Sequence, residues 1–151
     1  MEDQGTTWIV AADGARMRVF EERVRAGELR ELPHDSMRIE GSDRPQAGPH
    51  SATVHERGGL GRHGAHEHNP SQEAEVRFLA RVVEHLDAAA RRKAFDRLVL
   101  IAPPTALGAL RAKLTPQLSA RLEATDAHER VGDDAEAMRV HLRQARGKAK
   151  A

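Results

Sequence analysis

The chain has 151 residues, with 24 lysines and arginines, 23 aspartates and glutamates, nine histidines and no cysteine. This length suits one domain, which we expect to cover residues 1–151. A formal net charge of +1 excludes a broadly basic nucleic-acid-binding surface but leaves room for a local basic patch. The absence of cysteine excludes disulfides, thiolate zinc sites and cysteine nucleophiles.

The first third of the chain predicts the antiparallel start of a sheet. Residues 8–12 form an apolar run, which is followed by Asp13-Gly14 and by an alternating polar and apolar stretch at residues 16–20. An Asp-Gly pair between two strand-like segments predicts a hairpin with a tight turn of positive φ. Residues 27–32 predict a third strand.

A long loop rich in glycine and histidine follows, from about residue 40 to residue 70. It contains many polar residues and prolines and few apolar residues. A loop of this length in a compact domain is usually functional or disordered. We therefore expect at least part of it to lack a fixed structure.

Helical periodicity predicts a helix over residues 71–91. Its apolar positions Val76, Leu79, Val83 and Leu86 recur at helical spacing, which indicates one buried face. The apolar run at residues 98–102 is typical of a central strand that is buried on both sides.

The last third of the chain predicts a short helix at 105–114, a weaker strand at 122–126 and a final helix at 133–146. Residues 147–151 are expected to fray. Pro103-Pro104 ends the central strand and marks the edge at which open sheets often place ligands.

Taken in order, these elements read strand, strand, strand, long loop, helix, strand, helix, strand, helix. This order predicts an α/β fold with a mixed sheet and flanking helices. It is the layout of a ribonuclease-H-like fold, and its core is expected at about residues 6–145.

Three stretches of sequence carry a resemblance to a known family. The chain opens with Trp-Ile-Val-Ala-Ala-Asp-Gly-Ala-Arg at 8–16, and Arg-Phe-Leu-Ala at 77–80 lies within the first predicted helix. Asp-Arg-Leu-Val-Leu-Ile-Ala-Pro-Pro at 96–104 precedes Leu-Gly-Ala-Leu-Arg at 107–111. Over roughly residues 6–145 the chain resembles the bacterial host attachment family, described as proteins required for attachment to host cells.

That family is similar to the middle domain of the archaeal and eukaryotic peptide-chain release factor. There a Gly-Gly-Gln loop enters the ribosomal peptidyl-transferase centre and directs water onto peptidyl-tRNA. This chain has a glycine-bearing stretch in the same order, before the helix and the Leu-Val-Leu strand. The resemblance implies contact with the ribosome or a structured RNA through this binding loop, which consists of Arg57, Gly58, Gly59, Leu60, Gly61, Arg62 and His63.

The central residue of the loop argues against hydrolysis, because Leu60 stands where the glutamine would be. A leucine side chain neither donates nor accepts a hydrogen bond, whereas positioning a hydrolytic water needs polar groups within reach. Gly58 and Gly59 still permit close backbone approach. We therefore favour a non-hydrolytic binding role with no catalytic residue and no cofactor, and leave the question of enzymatic activity open.

Three histidines of the same loop raise a metal-site alternative. His63, His66 and His68 could hold a metal ion with water in an open position, as in a metal-dependent hydrolase. Their spacing matches no standard zinc signature, so we favour a solvated loop whose histidines titrate near neutral pH.

Other readings also remain open. Asp13, Asp96 and Asp126 lie near predicted strand ends and are the candidates for a nuclease, which needs carboxylates that converge on metal ions. The basic run at 139–150 is interpreted as a complement to the helix dipole with a solvated tail. The four aromatic residues are expected in the core, which weakens the case for base stacking.

The family description implies an attachment-related or adhesion protein as a further alternative. The acidic start of the chain, Glu2-Asp3, does not resemble a secretory signal, and no apolar run is long enough to span a bilayer. We therefore expect a cytoplasmic protein with no membrane partner.

Overall fold

A computed structural model of the chain describes residues 5–44 and 69–150. The strands in this part of the chain are β1 (Thr7–Ala12), β2 (Arg16–Glu22), β3 (Leu29–Glu31), β4 (Met37–Arg38), β5 (Arg97–Ile101) and β6 (Leu122–Asp126). The α-helices are α1 (Pro70–Arg91), α2 (Pro104–Lys113), α3 (Pro116–Arg121) and α4 (Ala135–Lys150). Two 3-10 helices span Pro33–Asp35 and Gly41–Asp43.

The strands form one mixed sheet in the order β3-β2-β1-β5-β6, with β4 also paired to β2. β1 pairs with β2 in antiparallel fashion and with β5 in parallel, and β5 pairs with β6 in parallel. The predicted α/β architecture with flanking helices is confirmed. The structure adds β4 and α3, which are too short to show a clear periodicity in the sequence.

The two central strands are buried on both faces of the sheet. In β1, Trp8 and Val10 pack in the layer that contains α1, α2 and α3, whereas Ile9 and Ala11 pack in the layer that contains α4. Successive side chains of a strand point to opposite faces, so a strand covered on both sides needs apolar residues throughout. This explains the continuous apolar runs of β1 and β5.

The aromatic residues belong to this core, as the sequence predicted. Trp8 and Phe95 stack with ring centroids 4.9 Å apart, and Phe20 and Phe78 have no exposed surface. None of the four is available to stack on a base. Any recognition of RNA by the described residues would therefore depend on polar and charged groups.

The longest helix, α1, begins with a side-chain cap and a proline in its first turn. The side chain of Asn69 accepts a hydrogen bond from the Gln72 amide at 2.9 Å, and Pro70 occupies the first turn, where it costs no hydrogen bond. Among residues 5–44 and 69–150, no helix combines the length and apolar character needed to cross a bilayer.

A buried ion network lies at the amino ends of the parallel strands. Glu22 ends β2 opposite Thr7 and is 0% exposed. Its carboxylate accepts hydrogen bonds from Arg146 Nη2 at 2.6 Å and from Arg139 Nη1 at 3.0 Å. Arg146 Nε also donates to Glu123 of β6 at 3.0 Å. The network therefore connects α4 to two strands of the sheet.

This network changes the interpretation of the basic C-terminal run. The sequence indicated a dipole complement and a solvated tail, but Arg139 and Arg146 are side-chain partners of the buried Glu22. Burial disfavours the charged form of Glu22, and the hydrogen bonds from the two arginines outweigh burial and hold its pKa at about 2. The helix itself continues to Lys150, beyond the predicted end.

Replacing Glu22 by glutamine is expected to lower the free energy of unfolding at pH 7 by about 3 kcal/mol, because it leaves two partly buried arginines without their counter-charge. The folded-state pKa of Glu22, about 2, lies below its ordinary value of 4.5. The contribution of its charge is therefore complete above the ordinary pKa and is lost as the pH falls through the folded-state value. Denaturant unfolding at a series of pH values measures this loss.

The exposed Glu28 provides a matched control, and Glu28→Gln should leave the stability nearly unchanged. The difference in free energy of unfolding between the wild type and Glu22→Gln should narrow as the pH falls from the ordinary pKa of Glu22 to its folded-state pKa. A difference that stays constant down to the folded-state pKa would show that the ionised carboxylate contributes nothing to stability.

Candidate functional site

Three parallel strands end at one edge of the sheet. β1, β5 and β6 run in the same direction, and their carboxyl ends lie at Ala12, Ile101 and Asp126. Ligands of open α/β sheets bind outside the carboxyl ends of the strands. In this structure the carboxyl edge is bordered by three neighbouring cavities.

The central cavity has a volume of about 520 Å³. The turn between β1 and β2 contributes one wall, the start of α1 contributes another, and Pro103 lies at the end of β5. Pro103 thus lies where the sequence predicted a ligand-binding edge. The lining residues are Asp13, Gly14, Ala15, Ile39, Arg44, Pro70, Ser71, Ala74, Glu75 and Pro103.

The second cavity is a groove of about 630 Å³ between α1 and α2, which shares Gly14, Glu75 and Pro103 with the central cavity. Val76 lines this groove and is 49% exposed. The prediction that Val76 belongs to the buried stripe of α1 is therefore wrong. The buried arc is centred on Val82 and its helical neighbours, and Val76 falls at its margin.

The third cavity, which we name the arginine cavity, has a volume of about 560 Å³. It shares Asp13, Ala15 and Ile39 with the central cavity. Arg16 and Arg38 contribute its cationic side chains. Sequence reasoning placed Arg16 on the polar face of a strand but missed Arg38, because β4 is two residues long and lies just before the region assigned to the loop.

The turn between β1 and β2 is built by Asp13. Its Oδ1 accepts hydrogen bonds from the amides of Ala15 and Arg16, each at 2.8 Å. The hairpin is confirmed, but Gly14 does not adopt positive φ, so the predicted turn geometry is wrong. Gly14 instead allows close approach, since a Cβ built there would overlap the side chain of Glu75.

A buried carboxylate fixes the segment that leads into the central cavity. Asp43 is 3% exposed and accepts hydrogen bonds from Arg81 Nε at 2.7 Å and Nη2 at 2.6 Å. The hydrogen bonds from Arg81 lower the pKa of Asp43. Arg81 Nη2 also donates to the backbone oxygen of Arg38 at 3.1 Å. One arginine of α1 therefore positions β4 and the Gly41–Asp43 turn that precedes Arg44.

The three aspartates considered for a nuclease do not converge. Asp96 precedes β5 at its amino end, where it accepts a hydrogen bond from the Thr6 amide at 2.8 Å. Asp126 lies at the carboxyl end of β6 and pairs with His128 at 2.6 Å and with Arg130 at 2.8 Å. Burial raises the pKa of Asp126, but these hydrogen bonds outweigh it and lower the pKa overall. Asp13 belongs to its turn.

The binding loop predicted from the sequence, Arg57 to His63, lies outside the described residues. The same holds for His66 and His68 of the metal-site alternative, which stay predictions. Within residues 5–44 and 69–150, no three histidine, aspartate or glutamate side chains form a group that could hold a metal ion. Two residues that flank the undescribed stretch, Arg44 and Pro70, both line the central cavity.

Comparison with known proteins gives one match. The model of the family described as "Protein required for attachment to host cells" matches residues 8–142. This range includes the six strands of the described part, apart from the first residue of β1, and the first half of α4. No curated protein matches the chain.

Replacing Arg81 by methionine is expected to free the Gly41–Asp43 turn from α1, because the buried carboxylate of Asp43 loses its bidentate partner. Hydrogen exchange followed by mass spectrometry should show faster exchange of the amides of Asp43 and Arg44, whose hydrogen bonds close this turn. The exchange of β1 and β5 should stay slow.

Arg91→Met is the matched control, because the exposed Arg91 lies on the same helix and pairs with Asp87 of that helix. Unchanged protection of residues 41–44 in Arg81→Met would contradict the positioning role assigned to Arg81.

Proposed function

The chain belongs to the family of proteins required for attachment to host cells, and on that premise we propose that it is a release-factor-like module that binds the ribosome or a structured RNA. In this proposal the module acts by binding and does not hydrolyse its substrate. It meets its partner at the carboxyl edge of the sheet. A ribosomal partner implies a cytoplasmic location.

The strand order supports a ribonuclease-H-like fold of the kind that the resemblance implies. The sheet runs β3-β2-β1-β5-β6, and β2 is antiparallel to β1, β3 and β4. A hairpin followed by parallel strands with intervening helices also gives helices on both faces. This arrangement supports likeness to the release-factor middle domain in its fold, while its function has to be argued from the site.

The observation that carries the proposal is the position of the two flanks of the glycine-bearing stretch. Arg44 precedes that stretch and Pro70 follows it, and both line the central cavity together with Asp13 and Pro103. The described residues on either side of that stretch therefore lie at the carboxyl edge of the sheet. That edge is where ligands bind in open α/β sheets.

Charge at this edge supports an anionic partner. Arg38, Arg44 and Arg77 are exposed, and among the described residues none of them forms an ion pair. Cationic side chains without a counter-charge are the groups that contact phosphates. With the aromatic residues buried, contact through phosphates and shape is the mode of RNA binding that these residues support.

Binding without hydrolysis follows from the chemistry of Leu60. Its side chain supplies neither the donor nor the acceptor that would hold an attacking water. Among the carboxylates that line the edge, Asp13 is engaged by the amides of its own turn, and Asp126 is engaged by Arg130 and His128. These side chains are therefore already committed to structural contacts.

The family description favours a second candidate, a direct role in attachment to a host cell. Fractionation of cells into cytosol, membrane and surface material separates the two candidates. Recovery at the cell surface would favour attachment, and recovery in the cytosol would leave the ribosome or RNA as the partner to test.

Sedimentation of native lysate through a sucrose gradient, after mild crosslinking, tests the proposal. We expect the wild type in a ribosomal fraction and a loss of at least severalfold for Gly58→Ala/Gly59→Ala, because the substitutions restrict close backbone approach. Arg44→Ala should weaken the association at low salt and make it less sensitive to salt, as expected for the loss of one phosphate contact.

Arg23→Ala is the matched control, because Arg23 is exposed just after the end of β2, lines none of the three cavities and pairs with Glu21. Absence of the wild type from every ribosomal fraction would exclude ribosome binding. Equal sedimentation of the wild type and the double variant would exclude the glycine-bearing stretch as the contact.

A further inference from the structure

We propose that the arginine cavity is a binding site for a phosphate-type oxyanion, held by Arg16 and Arg38 beside Gly132. The site is built from described residues of β2, β4 and the loop before α4. It does not depend on the undescribed stretch or on the ribosome as a partner.

Strand pairing brings the two arginines together. Arg16 of β2 and Arg38 of β4 are direct cross-strand partners, and residues that face each other across two strands project from the same side of the sheet. Two like charges in this relation repel each other. An oxyanion between the guanidinium groups converts this repulsion into two favourable contacts.

The neighbouring Arg18 has a structural role and serves as a comparison for Arg16 and Arg38. Its guanidinium makes two hydrogen bonds of 2.9 Å to the carboxylate of Glu31 and two of 2.7 Å to the backbone oxygens of Val131 and Asp133. Most of the N–H groups of this guanidinium are therefore already hydrogen-bonded. Arg18 holds the loop before α4 and has little capacity for a ligand.

The side chains of Arg16 and Arg38 make fewer hydrogen bonds than that of Arg18. The guanidinium of Arg16 makes one hydrogen bond, from Nη2 to the backbone oxygen of Val131 at 2.8 Å, and its buried Nε has no partner. The side chain of Arg38 makes no hydrogen bond or ion pair within residues 5–44 and 69–150. A buried charged donor without an acceptor is costly, so an incoming acceptor is favoured.

The cavity leaves space for the ligand beside Arg16. Gly132 has no side chain, and a Cβ built there would lie 3.8 Å from Arg16 Nη2, which shows that the backbone of Gly132 borders the guanidinium. Two acidic residues also line the cavity, Asp13 and Glu129. Asp13 is occupied by its turn. The charge of Glu31 also acts on Arg16, but Glu31 is paired with Arg18, so the exposed Glu129 is the lining acid that competes with the ligand.

The chemistry of the site selects a compact anion with several oxygens. Guanidinium groups bind phosphoryl oxygens through directional, charge-assisted hydrogen bonds. A phosphodiester of an RNA backbone and a free phosphate group both present this chemistry. The site is therefore assigned to the phosphoryl oxyanion, and the experiment distinguishes its two sources.

NMR titration of the full chain with inorganic phosphate tests the site, with chloride used to keep the ionic strength constant. The Nε–H signal of Arg16 and the amide of Gly132 should shift and saturate. Arg38→Ala should weaken binding by about tenfold, which corresponds to the loss of one charge-assisted hydrogen bond. Thermal unfolding confirms that each variant is folded.

Gly132→Asp supplies an internal carboxylate next to Arg16 and should abolish the saturable shift. Glu129→Gln removes the competing acid and should tighten binding. Arg23→Ala is the control and should bind phosphate like the wild type. A linear shift that chloride reproduces would overturn the proposal, as would wild-type affinity in both Arg38→Ala and Gly132→Asp.

A second titration identifies the source of the oxyanion. A short oligoribonucleotide with hydroxyl groups at both ends offers internal phosphodiesters but no terminal phosphate. If it shifts the same signals at a lower concentration than phosphate does, the site binds the phosphodiesters of an RNA backbone. If phosphate shifts them and the oligoribonucleotide does not, the site takes a free phosphate group.

Discussion

The contact between Glu22 and the arginines of α4 determines how this helix packs against the sheet. Glu22 has no exposed surface and lies at the amino end of the parallel strands, where Arg139 and Arg146 enclose it. A buried carboxylate is tolerated only when its charge is paired. The contact therefore fixes α4 across one face of the sheet, while Arg18 holds the loop that precedes α4 through the backbone oxygens of Val131 and Asp133.

The two edges of the sheet differ in how completely their charges are paired. At the amino edge, Glu22, Glu123 and Arg146 satisfy one another. At the carboxyl edge, Arg38 and Arg44 form no ion pair within the described residues. Paired charges add rigidity, whereas cationic groups without a partner are available to a ligand. The stabilising network and the candidate site thus occupy opposite ends of the same strands.

This separation also bears on the choice between catalysis and binding. Two carboxylates near the carboxyl edge, Asp13 and Asp126, take part in a turn and in ion pairs. The cationic groups Arg38 and Arg44, by contrast, form no ion pair within the described residues. A surface with that balance recognises an anion more readily than it moves a proton.

The sequence by itself determined the α/β class, the β1–β2 hairpin, the order of the long helices and the apolar character of β1 and β5, because these depend on local periodicity and on cap and turn residues. It did not determine the turn at Gly14, the exposure of Val76, the strand β4 or the arginine cavity. Each of these depends on which distant residue becomes a neighbour: Glu75 beside Gly14, and Arg38 opposite Arg16. Only the tertiary structure decides such pairings, because contacts between residues far apart in the chain leave no periodic trace in the sequence.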